Sequence, residues 1–286
     1  SKITIKIDIN VSTHNILYIL SSFSPTENTD EYKQLKENFN SQLIHHCECI
    51  LKCCEGTCYC FKISGGSNYI SFVDQTIYKD MIYLLNKSKV NCNYPIIECN
   101  ESCRCVSQCG NRLVQNGPLK YLYMQICKNK LKGLGLFSYN HILRGMFICE
   151  YAGEVITKSQ ALRRHEHNQA QGKMNYIFCL QEHINEEILQ TFIDPSKFGN
   201  IGRYINHSCE PNCEIIPVRV NNPIPKLAIF SSTDIFPGTE ITIDYGASSL
   251  NLITATVNIR KPCLCESSKC KNLMPYHNGV NLHIET

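Results

Sequence analysis

No stretch of this 286-residue sequence approaches the eighteen or so consecutive apolar residues that a membrane-spanning helix needs. Residues 16–20 form an apolar run too short even for the core of a signal peptide. Charge is also sparse, with 19 % Asp, Glu, Lys and Arg and a formal net charge of +3. That balance permits an acidic partner, but the concentrated Lys/Arg run that marks nucleic-acid binders is missing. These absences predict a soluble, intracellular protein, and the lack of an initiator methionine predicts a trimmed or processed start. No Ser/His/Asp or Cys/His arrangement suggests a covalent nucleophile. Gly133 and Gly135 lack the third glycine and following helix of a dinucleotide or phosphate loop, so a close backbone approach or a plain turn explains them equally well.

Cysteine, in contrast, is abundant. There are nineteen, an odd number, and eleven fall between Cys47 and Cys109. A secreted disulfide framework is the rival explanation, but such scaffolds are short and carry no large cysteine-poor core. Metal binding fits better. Cys47, Cys49, Cys53, Cys58 and Cys60 are followed by a tyrosine-rich polar insertion and then by Cys99, Cys103, Cys105 and Cys109. Thiolate-rich sites select zinc in a reducing compartment. Nine thiolates cannot build three separate tetrahedral sites, but they serve three zincs if three of them each bridge two metals. One or two ordinary zinc fingers with spare cysteines is the alternative. Cys54 reads as spare, since Cys53 gives the more even spacing, and Cys92 lies outside the pattern. The cluster reads as structural and would replace a hydrophobic core over about sixty residues.

The remaining sequence alternates between short strands and turns. Residues 2–9 alternate polar and apolar, the period of a strand with one buried face. Residues 21–40 read as a loop leading to a short helix. After the turn at Asn116-Gly117-Pro118, strands are predicted over 121–127, 145–155 (broken near Gly153), 175–180 paired with 189–193, 213–220, 227–231 and 240–245. One helix stands out, over 159–169, with Ser159 as its cap and a basic face at Arg163 and Arg164.

The chain is organised around Gly202-Arg203-Tyr204-Ile205-Asn206-His207-Ser208-Cys209-Glu210-Pro211-Asn212, too polar for a core strand and too ordered for a solvated loop. Downstream, Cys263, Cys265 and Cys270 supply three thiolates and lack a fourth, for which Cys209 is the candidate. A site enclosed where that cysteine-rich flap meets the body would form only on closure. A tight turn with a buried cysteine is the plainer alternative.

Taken in order, Lys132-Gly133-Leu134-Gly135-Leu136, the 202–212 stretch, Asp244-Tyr245-Gly246 and the two cysteine groups resemble the SET-domain protein lysine methyltransferases. The likeness covers residues 45–276 and is to the branch with a nine-cysteine pre-SET and a three-cysteine post-SET module. Four further runs, 150–155, 199–203, 216–219 and 225–228, make it highly specific and point to one member of that branch.

The resemblance implies a mainly β SET-domain fold of small sheets with a pseudoknot and few helices, flanked by cysteine-rich zinc modules. The implied divisions are an N-terminal strand and linker (1–44), pre-SET cluster (45–118), SET catalytic domain (119–249) and post-SET module with tail (250–286). It implies S-adenosyl-L-methionine as methyl donor, held by Lys132, Gly133, Leu134, Gly135, Tyr176, Arg203, Asn206 and His207. Tyr245 would be the catalytic tyrosine, with Tyr176 beside it. Four zincs are implied, three on the nine-cysteine cluster and one on Cys209, Cys263, Cys265 and Cys270. His207 could instead be a satisfied core histidine.

The implied activity is histone-lysine N-methylation in the nucleus, on chromosomes, with a histone tail or nucleosome as partner and no direct DNA binding indicated. The third core histone is implied, at its fourth or thirty-sixth residue on the narrower likeness and at its ninth on the wider branch. An inactive SET fold serving as a chromatin-binding or scaffolding module is the competing class. A zinc-finger nucleic-acid binder is disfavoured, since no basic helices adjoin the cysteines. One departure concerns product multiplicity. Ile243 stands where the family commonly has Phe or Tyr, and isoleucine can neither anchor a water beside the amine nor fill the space of a ring. Methylation beyond the first methyl is therefore expected.

Overall fold

The computed structural model describes residues 6–7, 17–24, 29–73, 81–90, 94–119, 122–184, 187–246 and 261–275. Short β-rich segments punctuated by Gly and Pro build several small sheets rather than one large one. The largest described sheet has four strands in the order Ile96–Ile97, Cys213–Arg219, Lys226–Ser231, Phe147–Glu150. Its central pair is antiparallel, with Cys213 opposite Ser231 and Val218 opposite Lys226. Phe147–Glu150 is buried along its whole length, as a strand covered on both faces must be.

A second sheet pairs Met124–Asn129 antiparallel with Gly133–Ser138, and Lys6–Ile7 adds in parallel at the edge. A third places Glu187–Asp194 between Phe178–Ile184 and Glu154–Ile156. Between these layers lies a core that includes Leu136, Ile148, Ile205, Leu227, Ile241 and Ile243, each at most 1 % exposed. Burying such a side chain contributes about 1.5–3 kcal/mol.

The 202–212 stretch crosses beside the 240–245 segment. Asn206–His207 pairs in parallel with Thr242–Ile243, joining Asn206 to Thr242 and His207 to Ile243. Asn212 fastens the crossing by accepting from the Thr242 amide at 2.9 Å and donating to the Glu240 carbonyl at 2.8 Å. This is the pseudoknot, and the mainly β architecture with three α-helices among the described residues matches the fold expected from the sequence.

Several local expectations need correction. The helix runs from Lys158 to Ala170, and its cap is Thr157, whose hydroxyl accepts from the Gln160 amide, rather than Ser159. Its basic face is divided. Arg163 is exposed, whereas Arg164 turns inward to meet Glu154 and Asp194, both at 2.7 Å. Those two buried acids oppose each other on neighbouring strands and would repel without the guanidinium. The strand expected over 240–245 narrows to Thr242–Ile243, and Glu240 instead makes an isolated antiparallel bridge to Phe137.

The polar insertion in the cysteine module contains a hairpin, Tyr69–Phe72 with Ile82–Leu85, that sequence inspection passed over. Tyr69 and Leu85 pack with Phe147 and Phe230, and Ile96–Ile97 extends the four-stranded sheet. The two sides of residue 118 therefore share a core.

Candidate active site

A cavity of about 430 Å³ opens between the second and third sheets and the pseudoknot. Lys132, Gly133, Leu134, Tyr176, Arg203, Asn206, Ile243 and Tyr245 line it, joined by Tyr151, Met174, Asn175, Ile177, Phe178 and Tyr204. Eight of the ten residues singled out from sequence for cofactor, catalysis and product control thus meet in one place. Gly135 and His207 are not on its wall.

The cavity has a polar part and an apolar part. Arg203 is 9 % exposed and lies over the Tyr176 ring, 4.1 Å from its centroid. Among the described residues its Nε and Nη1 have no hydrogen-bond partner. A buried guanidinium with free donors fits an anionic group such as a carboxylate. Gly133 has φ of +83°, with no protein atom within 4 Å of where a side chain would begin, so backbone is presented openly to the cavity. These residues fit the amino-acid portion of S-adenosyl-L-methionine.

Tyr245 closes the other part. Its hydroxyl donates to the Ile205 carbonyl at 2.8 Å. Burial, with Tyr176 and Glu240 nearby, pushes its phenol well above its ordinary value, so it is a neutral hydroxyl with lone pairs to offer. The Tyr151 hydroxyl donates to the Tyr176 carbonyl at 2.7 Å and fixes the segment carrying that ring. Leu134, Ile177, Phe178 and Ile243 make the surroundings apolar.

The two missing residues act from behind. A Cβ on Gly135 would stand 2.5 Å from Glu240 Oε1 and 3.0 Å from Asn206 Nδ2, so this glycine makes room for a side-chain pair rather than for a ligand. Glu240 gathers Lys132 Nζ at 2.5 Å, Asn129 Nδ2 at 3.1 Å and Asn206 Nδ2 at 2.8 Å. Sequence inspection missed Glu240; the available signal was a carboxylate at the head of the alternating run 240–243, which needs partners if buried. His207 is 4 % exposed, and its Nδ1 accepts from the Tyr245 amide at 3.2 Å. Its Nε2 therefore bears the proton and faces Cys209 Sγ at 3.5 Å. Burial pushes its pKa down, as expected of a neutral ring in this place. Its imidazole is a satisfied core histidine bridging the Tyr245 backbone and a cysteine group.

The cysteines fall into two clusters. In the first, three fourfold sets share members: Cys47, Cys58, Cys60 and Cys99; Cys47, Cys53, Cys99 and Cys105; Cys47, Cys49, Cys53 and Cys58. Cys103 and Cys109 are buried with them, and Cys60 lies 3.6 Å from Cys103. Sulfur separations of 3.6 Å for Cys47–Cys53 and 3.9 Å for Cys47–Cys99 are far from a bonded disulfide at about 2 Å. They match the edge of about 3.8 Å expected of a sulfur tetrahedron at zinc–sulfur distances of about 2.3 Å. The thiols of Cys103 and Cys109 push Cys99 up, so the thiols cannot all ionise without a cation among them. Cys54 is exposed and its thiol turns to the Lys52 carbonyl, whereas Cys53 lies in the cluster. Cys92 lies outside the described residues. The second cluster is Cys209 with Cys263, Cys265 and Cys270, with 3.8 Å between Cys209 and Cys263. Both clusters fit zinc.

Residues 133–246 match the SET domain family. With the cavity, the pseudoknot and both cysteine clusters in place, the chain belongs to that family, and its class is that of S-adenosyl-L-methionine-dependent lysine methyltransferases. Within the class it is similar to the histone-lysine N-methyltransferase SETMAR of Rattus norvegicus, 40 % identical over 243 residues that cover 82 % of this chain and 73 % of the relative. The crystal structure of the methyltransferase domain of human SETMAR superposes with a TM-score of 0.74 at 33 % identity, covering 95 % of this chain and 94 % of that one. SUVH6 of Arabidopsis thaliana, solved in complex with S-adenosylmethionine, superposes with a TM-score of 0.70 at 26 % identity, covering 96 % of this chain and 53 % of that one.

Proposed function

We propose that this chain methylates a lysine side chain of a histone tail, with the third core histone as substrate, and that it acts on chromatin in the nucleus. One observation carries the reading: a single cavity presents guanidinium donors at Arg203 that have no partner among the described residues, and a neutral, oriented phenol at Tyr245, within an apolar surround. Methyl transfer from a sulfonium to an amine is an in-line displacement, so alignment supplies much of the acceleration. S-adenosyl-L-methionine, when bound, supplies the electrophilic methyl. Lys132, Gly133, Leu134, Tyr176, Arg203 and Asn206 are its holders, while Gly135 and His207 support them from behind.

The attacking lysine must be neutral. An apolar channel walled by Ile243, Phe178, Tyr176 and Tyr245 penalises the ammonium form and lowers the amine's pKa. Tyr245 then orients the amine through its lone pairs while its own proton stays on the phenol oxygen, donated to the Ile205 carbonyl. No side chain need act as general base.

The nine cysteines Cys47, Cys49, Cys53, Cys58, Cys60, Cys99, Cys103, Cys105 and Cys109 hold three zincs on this reading, and the sharing of Cys47, Cys53, Cys58 and Cys99 between sets supports bridging thiolates. A fourth zinc joins Cys209 to Cys263, Cys265 and Cys270. The working divisions are 45–118, 119–249 and 250–286. Ile243 leaves the channel without an aromatic hydroxyl at that position, so transfer continues past the monomethyl product. Incubation with radiolabelled S-adenosyl-L-methionine and purified core histones tests the proposal: label should enter the third core histone with wild type and at a rate lower by about a hundredfold or more with Tyr245→Phe. Label in another histone, or in none, would overturn it.

A further inference from the structure

The Asn206 carboxamide has two N–H donors on Nδ2 and two acceptor lone pairs on Oδ1. Nδ2 lies 3.0 Å from the Leu134 carbonyl oxygen and 2.8 Å from Glu240 Oε1. Both neighbours only accept. Turning the amide over would set Oδ1 against a carbonyl and a carboxylate at once, so the surroundings select one orientation. Both donors are then used, and Oδ1 is the atom left for another partner. Asn206 lines the cavity.

Glu240 is fixed in its turn. Its other oxygen receives Lys132 Nζ at 2.5 Å and Asn129 Nδ2 at 3.1 Å, and the Lys132 and Glu240 side chains are only 14 % and 13 % exposed. The carboxylate cannot rotate away from Asn206 without giving up a sheltered ion pair. The absent side chain of Gly135 is what admits it to this position.

We propose that Glu240 is a positioning residue: by holding the Asn206 amide with Oδ1 free, it makes the cavity prefer a ligand carrying an α-ammonium group. A carbonyl oxygen accepts from an ammonium, whereas an amide NH₂ facing the same group would repel it. Glutamine at 240 is nearly isosteric but can offer an N–H to Asn206, which permits the amide to turn. The proposal rests on the reading that the cavity takes S-adenosyl-L-methionine.

The test is calorimetric binding of two ligands to the intact, zinc-loaded chain: S-adenosylhomocysteine, and its deamino analogue lacking only the α-amino group. Wild type should favour the first. Glu240→Gln should weaken S-adenosylhomocysteine about tenfold, the effect of one misplaced charged hydrogen bond, and the analogue less than about twofold. Equal losses on both ligands, or no loss on either, would overturn the proposal. If Glu240→Gln is insoluble, Glu240→Asp keeps a charge for Lys132 but draws the oxygen back from Asn206. The same selective loss is expected there, and a uniform one counts against the proposal. Wild type that binds neither ligand would overturn the cofactor reading as well.

Discussion

Gly135 and Gly133 stand two residues apart, yet alanine should fail at them for different reasons. At Gly135 the obstacle is steric. The new Cβ would lie 2.5 Å from Glu240 Oε1, so the carboxylate must retreat about 0.9 Å to reach ordinary contact at 3.4 Å. The Asn206–Glu240 bond begins at 2.8 Å and would end past the distance of about 3.5 Å at which such a bond still holds. A hydrogen bond to a charged group contributes about 1.5–3 kcal/mol. Glu240 keeps Lys132 and Asn129, which favours the lower end. At about 2–4 °C per kcal/mol for a chain of this size, Gly135→Ala should lower the melting temperature by about 3–6 °C. Its affinity for S-adenosylhomocysteine should fall about tenfold as Asn206 loses its anchor. At Gly133 no atom lies within 4 Å, and the cost is the left-handed φ of +83°, about 1–2 kcal/mol. Scanning fluorimetry and calorimetry on both variants check this. Gly135→Ala that melts with wild type and binds the ligand equally well would refute the account of how Asn206 is held.

Three further outcomes are expected. Cys265→Ser, or a chelator strong enough to strip the second cysteine cluster, should abolish turnover while near-ultraviolet dichroism keeps its native form, since the main core draws on no residue of 261–275; loss of the tertiary spectrum would mean the cluster supports the whole fold. Because burial pushes the Tyr245 phenol up, it stays protonated between about pH 7 and 9, and the alkaline rise in kcat/KM belongs to the substrate amine, whose reference pKa is about 10.4. Tyr245→Phe should accordingly lower the rate about a hundredfold or more and leave that rise in place; a profile that becomes flat in the variant would make Tyr245 the titrating group. Ile243→Tyr should stop the reaction at the monomethyl product at a stability cost of about 1–3 kcal/mol, since Ile243 is 1 % exposed; mass spectra still showing dimethyl-lysine from the variant would remove Ile243 as the determinant.

The cysteine clusters were legible because ligand spacing is local and thiolates have few other reasons to gather. The pseudoknot stretch was legible from its density of polar side chains. Family resemblance, rather than periodicity, supplied the roles of Arg203, Asn206 and Tyr245. What escaped was long-range. Nothing near Glu240 in the chain says that Asn129 and Lys132 will reach it across more than a hundred residues. Arg164 looked like half of an exposed basic face because its acidic partners sit on two other strands. The hairpin at Tyr69–Phe72 and Ile82–Leu85 was hidden in a polar, tyrosine-rich setting, where burial is decided by Phe147 and Phe230 of the next module. His207 shows what residue-by-residue transfer leaves out: the resemblance assigns it to the cofactor, and the structure adds that its imidazole accepts from the Tyr245 amide.

The most direct measurement is tandem mass spectrometry of the third core histone after many turnovers with S-adenosyl-L-methionine, wild type beside Tyr245→Phe. The account predicts wild-type product with two or three methyl groups on one lysine, and a yield from the variant lower by about a hundredfold or more over the same time. Unmodified histone from a wild-type protein that carries its zinc and binds S-adenosylhomocysteine would contradict it, as would equal product from the variant.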